Sequence, residues 1–122
     1  MNPYASPQAY RESSVLTASP EQLVVMLYDG AVRFLRQSGE AMRAGNREQA
    51  RDRMRRAEAI IDELLATLDM SVGQIAEQLQ ALYLFFKEHL SAARLEQSAD
   101  KVEEVARLMR ELRSAWAGIA GA

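Results

Sequence analysis

Cysteine is absent from the 122 residues. That excludes a disulfide framework and any thiolate metal site, and it fits a reducing compartment. Histidine occurs once, as His89, with Glu88 directly before it. Di-iron helical bundles need a Glu-x-x-His unit on each of two helices; one histidine cannot supply two, and with Glu88 adjacent to it not even one is present. A lone histidine in a charged turn also gives no Cys–His or Ser–His–Asp arrangement, and reads as a surface side chain. The six glycines are scattered, so there is no glycine-rich phosphate loop. The carboxylate pairs Asp62-Glu63 and Glu103-Glu104 are adjacent in sequence, and on a helix such neighbours point apart. No apolar run approaches the roughly 18 residues of a membrane span. The opening "MNPYASPQAY" lacks the basic-then-apolar order of a secretion signal. These absences point to a soluble, cytoplasmic binding protein with no cofactor, no metal and no membrane insertion, and to no enzyme.

What remains has the size of one domain. All three prolines fall within the first twenty residues. Residues 1–18 show no helical period and read as a flexible N-terminal arm, with Tyr4 and Tyr10 as its large apolar groups. Residues 19–120 read as the bundle domain. Ser19 suits an N-cap, Pro20 the first helical position, and Gln22 completes a capping box. Asp29-Gly30 would ordinarily mark a hairpin turn, but a hairpin needs apolar/polar alternation on both sides. Instead Leu23, Met26, Leu27, Gly30, Ala31, Phe34 and Leu35 recur at helical steps. Gly30 therefore lies inside a helix, at a cost of about 1 kcal/mol against alanine. Close approach of a neighbouring segment over Gly30 and Ala31 would explain its use; a merely tolerated glycine is the alternative.

Gly45 and Asn46 end the first helix and cap a second, from about Arg47 to Leu68, with Ala50, Met54, Ala57, Ile61, Leu64, Leu65 and Leu68 on one face. Ser71 and Gln74 suggest another capping box, opening a third helix from about Val72 to Arg94. A fourth follows "EQSAD", carries Val102, Val105, Met109, Leu112, Trp116 and Ile119, and ends near Gly118. Short breaks between such helices predict an all-α, antiparallel up-down four-helix bundle.

Two features exceed what a bundle requires. Between residues 33 and 56 eight arginines face three carboxylates, a local net of +5 against −2 for the chain. This is either a solvated face or a patch for an acidic partner. The third helix holds "LQALYLFFKEHL", where Leu79, Leu82, Tyr83, Phe86 and Leu90 make a stripe and Leu84 and Phe85 fall outside it. Val24, Val25 and Tyr28 widen the first helix's stripe, and Ile60 widens the second's. Wide stripes suit either a deeply buried helix or a standing groove for another chain.

The segments "TASPEQLVVMLYDGAVRFL", "RAEAIIDELLATLD", "GQIAEQLQALYLFF" and "RLMRELRSAW" together resemble a FliS-type flagellar export chaperone over about residues 10–117. The pattern departs at Val72-Gly73, where the family often has two glycines, and at Ala93-Arg94 and Gln97-Ser98, where it often has asparagines; Ser98 still caps. The resemblance implies a cytoplasmic bundle that binds the disordered C-terminal segment of flagellin. It also implies that the chaperone prevents premature polymerisation and delivers flagellin to the type III export apparatus, with export-gate components as further partners. It further implies that the N-terminal arm covers part of the flagellin site when flagellin is absent. The groove is expected at Tyr28, Ile60, Leu64, Leu79, Tyr83, Leu84 and Phe86, with Tyr10 as the self-covering anchor; for Tyr28 the alternative is a core position with its hydroxyl on a partner at the bundle end. Two rivals come from other classes. One is a self-associating structural or regulatory bundle. The other is a nucleic-acid binder using the 33–56 arginines, which the net charge disfavours.

Overall fold

The computed structural model describes residues 18–120, with side chains up to Gly118. Most of the expected arm, Tyr10 included, lies outside the described residues. Four helices follow in order: α1 Pro20–Arg43, α2 Arg47–Thr67, α3 Gln74–Glu96 and α4 Ala99–Ala120, with a short 3-10 turn Met70–Val72 before α3. Among the described residues there is no strand, and no helix is long and apolar enough to cross a membrane. Successive helices run antiparallel, forming a four-helix bundle.

The first two helix starts form as their sequences dictate. Ser19 Oγ accepts the Gln22 N–H at 3.1 Å, and Gln22 Oε1 accepts the Ser19 N–H at 2.8 Å, closing the capping box. Asn46 Oδ1 accepts the Gln49 N–H and starts α2. Between them Gly45 takes φ 75, a left-handed conformation that glycine adopts without Cβ strain. Ser98 Oγ accepts the Lys101 N–H and opens α4. The expected Ser71–Gln74 capping box does not form. Asp69 instead accepts from the Ser71 N–H and hydroxyl, which holds its carboxyl below the usual range. Gly73, with φ 82, turns the chain into α3 two residues later than expected.

α1 is the spine. It packs closely on α2 and α4, while α3 stands further off against α2 and α4. The reason lies in side-chain size. The buried face of α1 includes Gly30, Ala31, Ser38, Gly39 and Ala41. Gly30 faces α2: a Cβ there would lie 3.2 Å from Ile60 Cδ1. Gly39 faces α4: a Cβ there would lie 3.5 Å from Glu103 Cγ. Nine residues are two and a half turns, so the two glycines sit on opposite flanks of one helix. Close approach, and not mere tolerance, therefore explains Gly30.

α3 fills its wider separation with large side chains. Tyr83, Phe86 and Leu90 are sealed in the core beside Tyr28, Leu35, Met54, Ile61, Leu64, Val102, Val105 and Met109. Tyr28 on α1 and Tyr83 on α3 meet across the diagonal, with ring centroids 6.4 Å apart and the two hydroxyls hydrogen-bonded. Burial pushes both phenols up from their ordinary value, and their mutual hydrogen bond raises Tyr28 further.

Removing one hydroxyl of this pair strands the other in a dry core. Tyr28→Phe or Tyr83→Phe alone is expected to cost about 1–3 kcal/mol in urea denaturation, and the double variant less than the sum. An unfolded tyrosine ionises near 10 while the folded pair keeps its protons. The pair's contribution is therefore complete below pH 10 and falls as the pH rises above it. The double variant is expected to lose stability less steeply than the parent over that range.

For Gly30 the helix-propensity gain of alanine, about 1 kcal/mol, opposes the crowding of Ile60. Gly30→Ala alone is expected to shift stability by less than about 0.5 kcal/mol. In an Ile60→Val background, which removes the obstructing Cδ1, the same change is expected to stabilise by about 1 kcal/mol. An equal effect in both backgrounds would refute the contact's role.

Candidate partner-binding surface

A core with so few large gaps still leaves apolar side chains outside. Leu23, Met26, Met70, Val72, Ile75, Leu82, Leu84, Phe85 and Leu95 are exposed. The first six lie in the N-terminal halves of α1 and α3 or in the link that follows α2. In an antiparallel bundle those segments share one end, together with the C-terminal half of α4.

Two apolar hollows open at this end. One, of about 500 Å³, lies between α1 and α2 and is lined by Pro20, Leu23, Val24, Met26 and Leu27, with Glu63 and Thr67 opposite. The other, of about 280 Å³, lies between α3 and α4 and is lined chiefly by Ile75, Leu79, Leu82, Leu112 and Trp116. Met70 and Val72 lie on the link between α2 and α3, and Ile75 follows in the first turn of α3; Val72 and Ile75 are 63% and 67% exposed. The interaxial gap follows from the packing already described: α3, kept off by Tyr83 and Phe86, leaves a furrow beside α4.

The sequence-based groove is partly relocated. Leu79 lines the α3–α4 hollow, Leu84 is 52% exposed on the outer face of α3, and Ile60 is half-buried over Gly30. Tyr28, Leu64, Tyr83 and Phe86 do not face outward; they are buried core residues. For the tyrosines the cause is the hydrogen bond they share, which turns both inward. Leu64 belongs to the same α2 face as Ile61 and Ala57, all sealed. With Tyr83 turned in, Leu82, one residue and about 100° away, turns out. Leu112 and Trp116, on the stripe of the fourth helix, pack against the core and line the α3–α4 hollow at its edge, while Leu23 and Met26, on the stripe of the first, are exposed. The excess width of those stripes signals that an edge is left open, but does not say which.

Charge is concentrated at the opposite end and along the flanks, where most of it is paired. Arg43 reaches Asp100 at 2.7 Å and Glu103 at 2.9 Å, and its hydrogen bond holds the Glu103 carboxyl low. Asp52 gathers Arg56, Arg53 and Arg55, with Arg56 the largest cause of its lowered pKa. Phe34 lies under the guanidiniums of Arg33 and Arg56 at 5.2 and 5.9 Å. Arg113 ties α4 to α1 through Asp29 at 2.8 Å. His89 is neither free on the surface nor placed for catalysis. Its ring stacks on Phe85 at 5.2 Å, and Nε2 lies 2.9 Å from Glu104. Among the described residues no group of three or more His, Asp or Glu side chains could hold a metal ion.

A family model described as flagellar protein FliS matches residues 2–122. The flagellar secretion chaperone FliS of Bacillus subtilis (strain 168) is 30% identical over 115 residues, which cover 94% of this chain and 84% of that protein. The protein of the same name from Campylobacter jejuni is 36% identical over 109 residues, 88% of this chain and 85% of its own. That of Escherichia coli (strain K12) is 36% identical over 107 residues, 86% and 79% of the two chains. With a match that runs almost from end to end, the chain belongs to the FliS family of flagellar proteins.

Proposed function

We propose that this protein is a cytoplasmic flagellar secretion chaperone that holds the C-terminal segment of flagellin. In this reading it keeps that segment from polymerising prematurely and presents it to the export apparatus, with export-gate components as further contacts. The names of the relatives support the chaperone role. The observation that carries the reading is the pair of apolar hollows at one end of a bundle whose core is already closed. A bundle needs no such surface for its own stability, whereas a client's apolar side chains do.

The mechanism is binding without turnover. A disordered segment can set one group of apolar side chains into the α1–α2 hollow and another into the α3–α4 hollow, crossing the link that carries Met70 and Val72. It becomes ordered only on contact, so part of the gross interaction energy is spent on ordering and the complex stays releasable. Leu79, Leu84 and Ile60 remain proposed contacts, joined by Leu23, Met26, Ile75 and Leu82. Tyr10 is proposed as a self-covering anchor, with the chain before Ser19 lying over the hollows until a client displaces it. Support comes from Pro20, the first residue of α1, which itself lines the α1–α2 hollow.

Light scattering on mixtures with full-length and C-terminally truncated flagellin separates the readings. A one-to-one complex with the full-length chain alone is expected. In that assay Leu82→Arg combined with Leu23→Arg is expected to weaken binding by at least about tenfold, the equivalent of 1.4 kcal/mol, while the melting temperature stays near that of the parent. Equal binding of the truncated client would defeat the proposal, and a stable dimer indifferent to flagellin would favour self-association. Deleting residues 1–17 is expected to leave the helical circular-dichroism signal intact and to increase binding of a hydrophobic dye; an unchanged dye signal would count against the covering arm.

A further inference from the structure

The end of the bundle away from the apolar hollows holds a smaller pocket of different chemistry. It measures about 100 Å³ and lies where the end of α1, the start of α2 and the end of α3 meet. Three arginines line it: Arg47, Arg51 and Arg94. Its floor is apolar, made by Met42, Ala50 and Met54, the last two buried. No carboxylate lines it. Among the described residues Arg47 and Arg51 make no ion pair, unlike Arg43, Arg53, Arg55 and Arg56 close by. Arg94 is held in place: Nη1 donates to Glu58 at 2.6 Å and sits 3.8 Å from Met54 Sδ. Gln97, on the rim, occupies the left-handed region at φ 51, and its side-chain amide donates to the Arg94 carbonyl at 2.8 Å.

We propose that this pocket is a second docking point, which takes an acidic polypeptide segment carrying a carboxylate next to one apolar side chain. Guanidinium groups pair with carboxylates in a planar, two-bonded fashion. The volume suits a single side chain, and the methionines offer an adaptable, polarisable floor. A phosphate has nothing to place on that floor. A nucleic-acid strand would also meet a molecule that carries −2 overall and −7 outside residues 33–56. The pocket lies at the opposite end from the client hollows, so a partner seated here would not compete with the client proposed above.

The probe is N-acetyl-leucine, a carboxylate beside an apolar side chain, titrated into the full chain labelled on its methionine methyls and arginine side-chain nitrogens for NMR. Saturable shifts of Met42, Met54, Arg47 and Arg51 are expected, with Met109 unmoved as an internal core reference. N-acetyl-leucinamide, which lacks the charge, is expected to leave them unmoved. The Arg47→Gln/Arg51→Gln variant, altered only at exposed positions, is expected to keep its melting temperature and to lose roughly tenfold in affinity. Absence of saturation, or equal shifts with the amide, would overturn the proposal. Tighter binding of inorganic phosphate or of a short single-stranded oligonucleotide at the same resonances would overturn it in favour of a phosphate site. Loss of flagellin binding with this pocket's titration intact would sink the client reading and leave this one standing.

Discussion

A single hydrogen bond between two phenols, buried where water cannot replace it, sets the rotation of two helices. Tyr28 and Tyr83 each carry a hydroxyl that would be costly to leave unpaired in the core. They satisfy one another only if α1 and α3 both aim these positions at the bundle axis. Once Tyr83 points inward, the adjacent positions Leu82 and Leu84 must point to the flanks, and Ile75 and Leu79, turns away on the same helix, fall beside α4. The apolar surface is therefore a consequence of the polar contact beneath it. Stability and exposure are settled by the same side chains.

The second constraint is size. Small residues on α1 draw α2 and α4 close, with Gly30 and Gly39 on opposite flanks, while the aromatic side chains of α3 hold it away. A bundle of four equally spaced helices would have closed its seams. This one closes the two seams along α1 near its middle and leaves room at one end, between α1 and α2 and between α3 and α4. The arginine-rich stretch lies toward the other end, where many of the charges form exposed pairs that contribute little to stability individually.

How much of this was legible before any coordinates follows from which physics is local. The caps at Ser19, Asn46 and Ser98 depend on residues within one turn, and they form as expected. The helical reading of Asp29-Gly30 rested on period, and the reason for the glycine, a neighbour close above it, is the contact with Ile60. Ser71 misled because Asp69 competes for the same turn and Gly73 supplies the bend. Leu64, Tyr83 and Phe86, expected in the groove, lie inside, and of the two readings of Tyr28 the core one holds. A stripe wider than the core needs shows that some residues must be left over. Which edge is left over depends on a long-range hydrogen bond between residues 55 positions apart, which no local pattern contains.

Two separate hollows suit a holding function better than one continuous patch of the same area. A broad exposed apolar face invites any partner, including another copy of the same chain. Divided into two concavities on different seams, the same area rewards a ligand that can reach both, and a flexible segment can do so where a rigid surface cannot. Engagement at one hollow raises the effective concentration at the other, so modest contacts combine into a retained complex. Release can then proceed one hollow at a time, without a step in which all the buried apolar surface returns to water together. A chain that must be held until export and then surrendered intact requires that combination of retention and stepwise release.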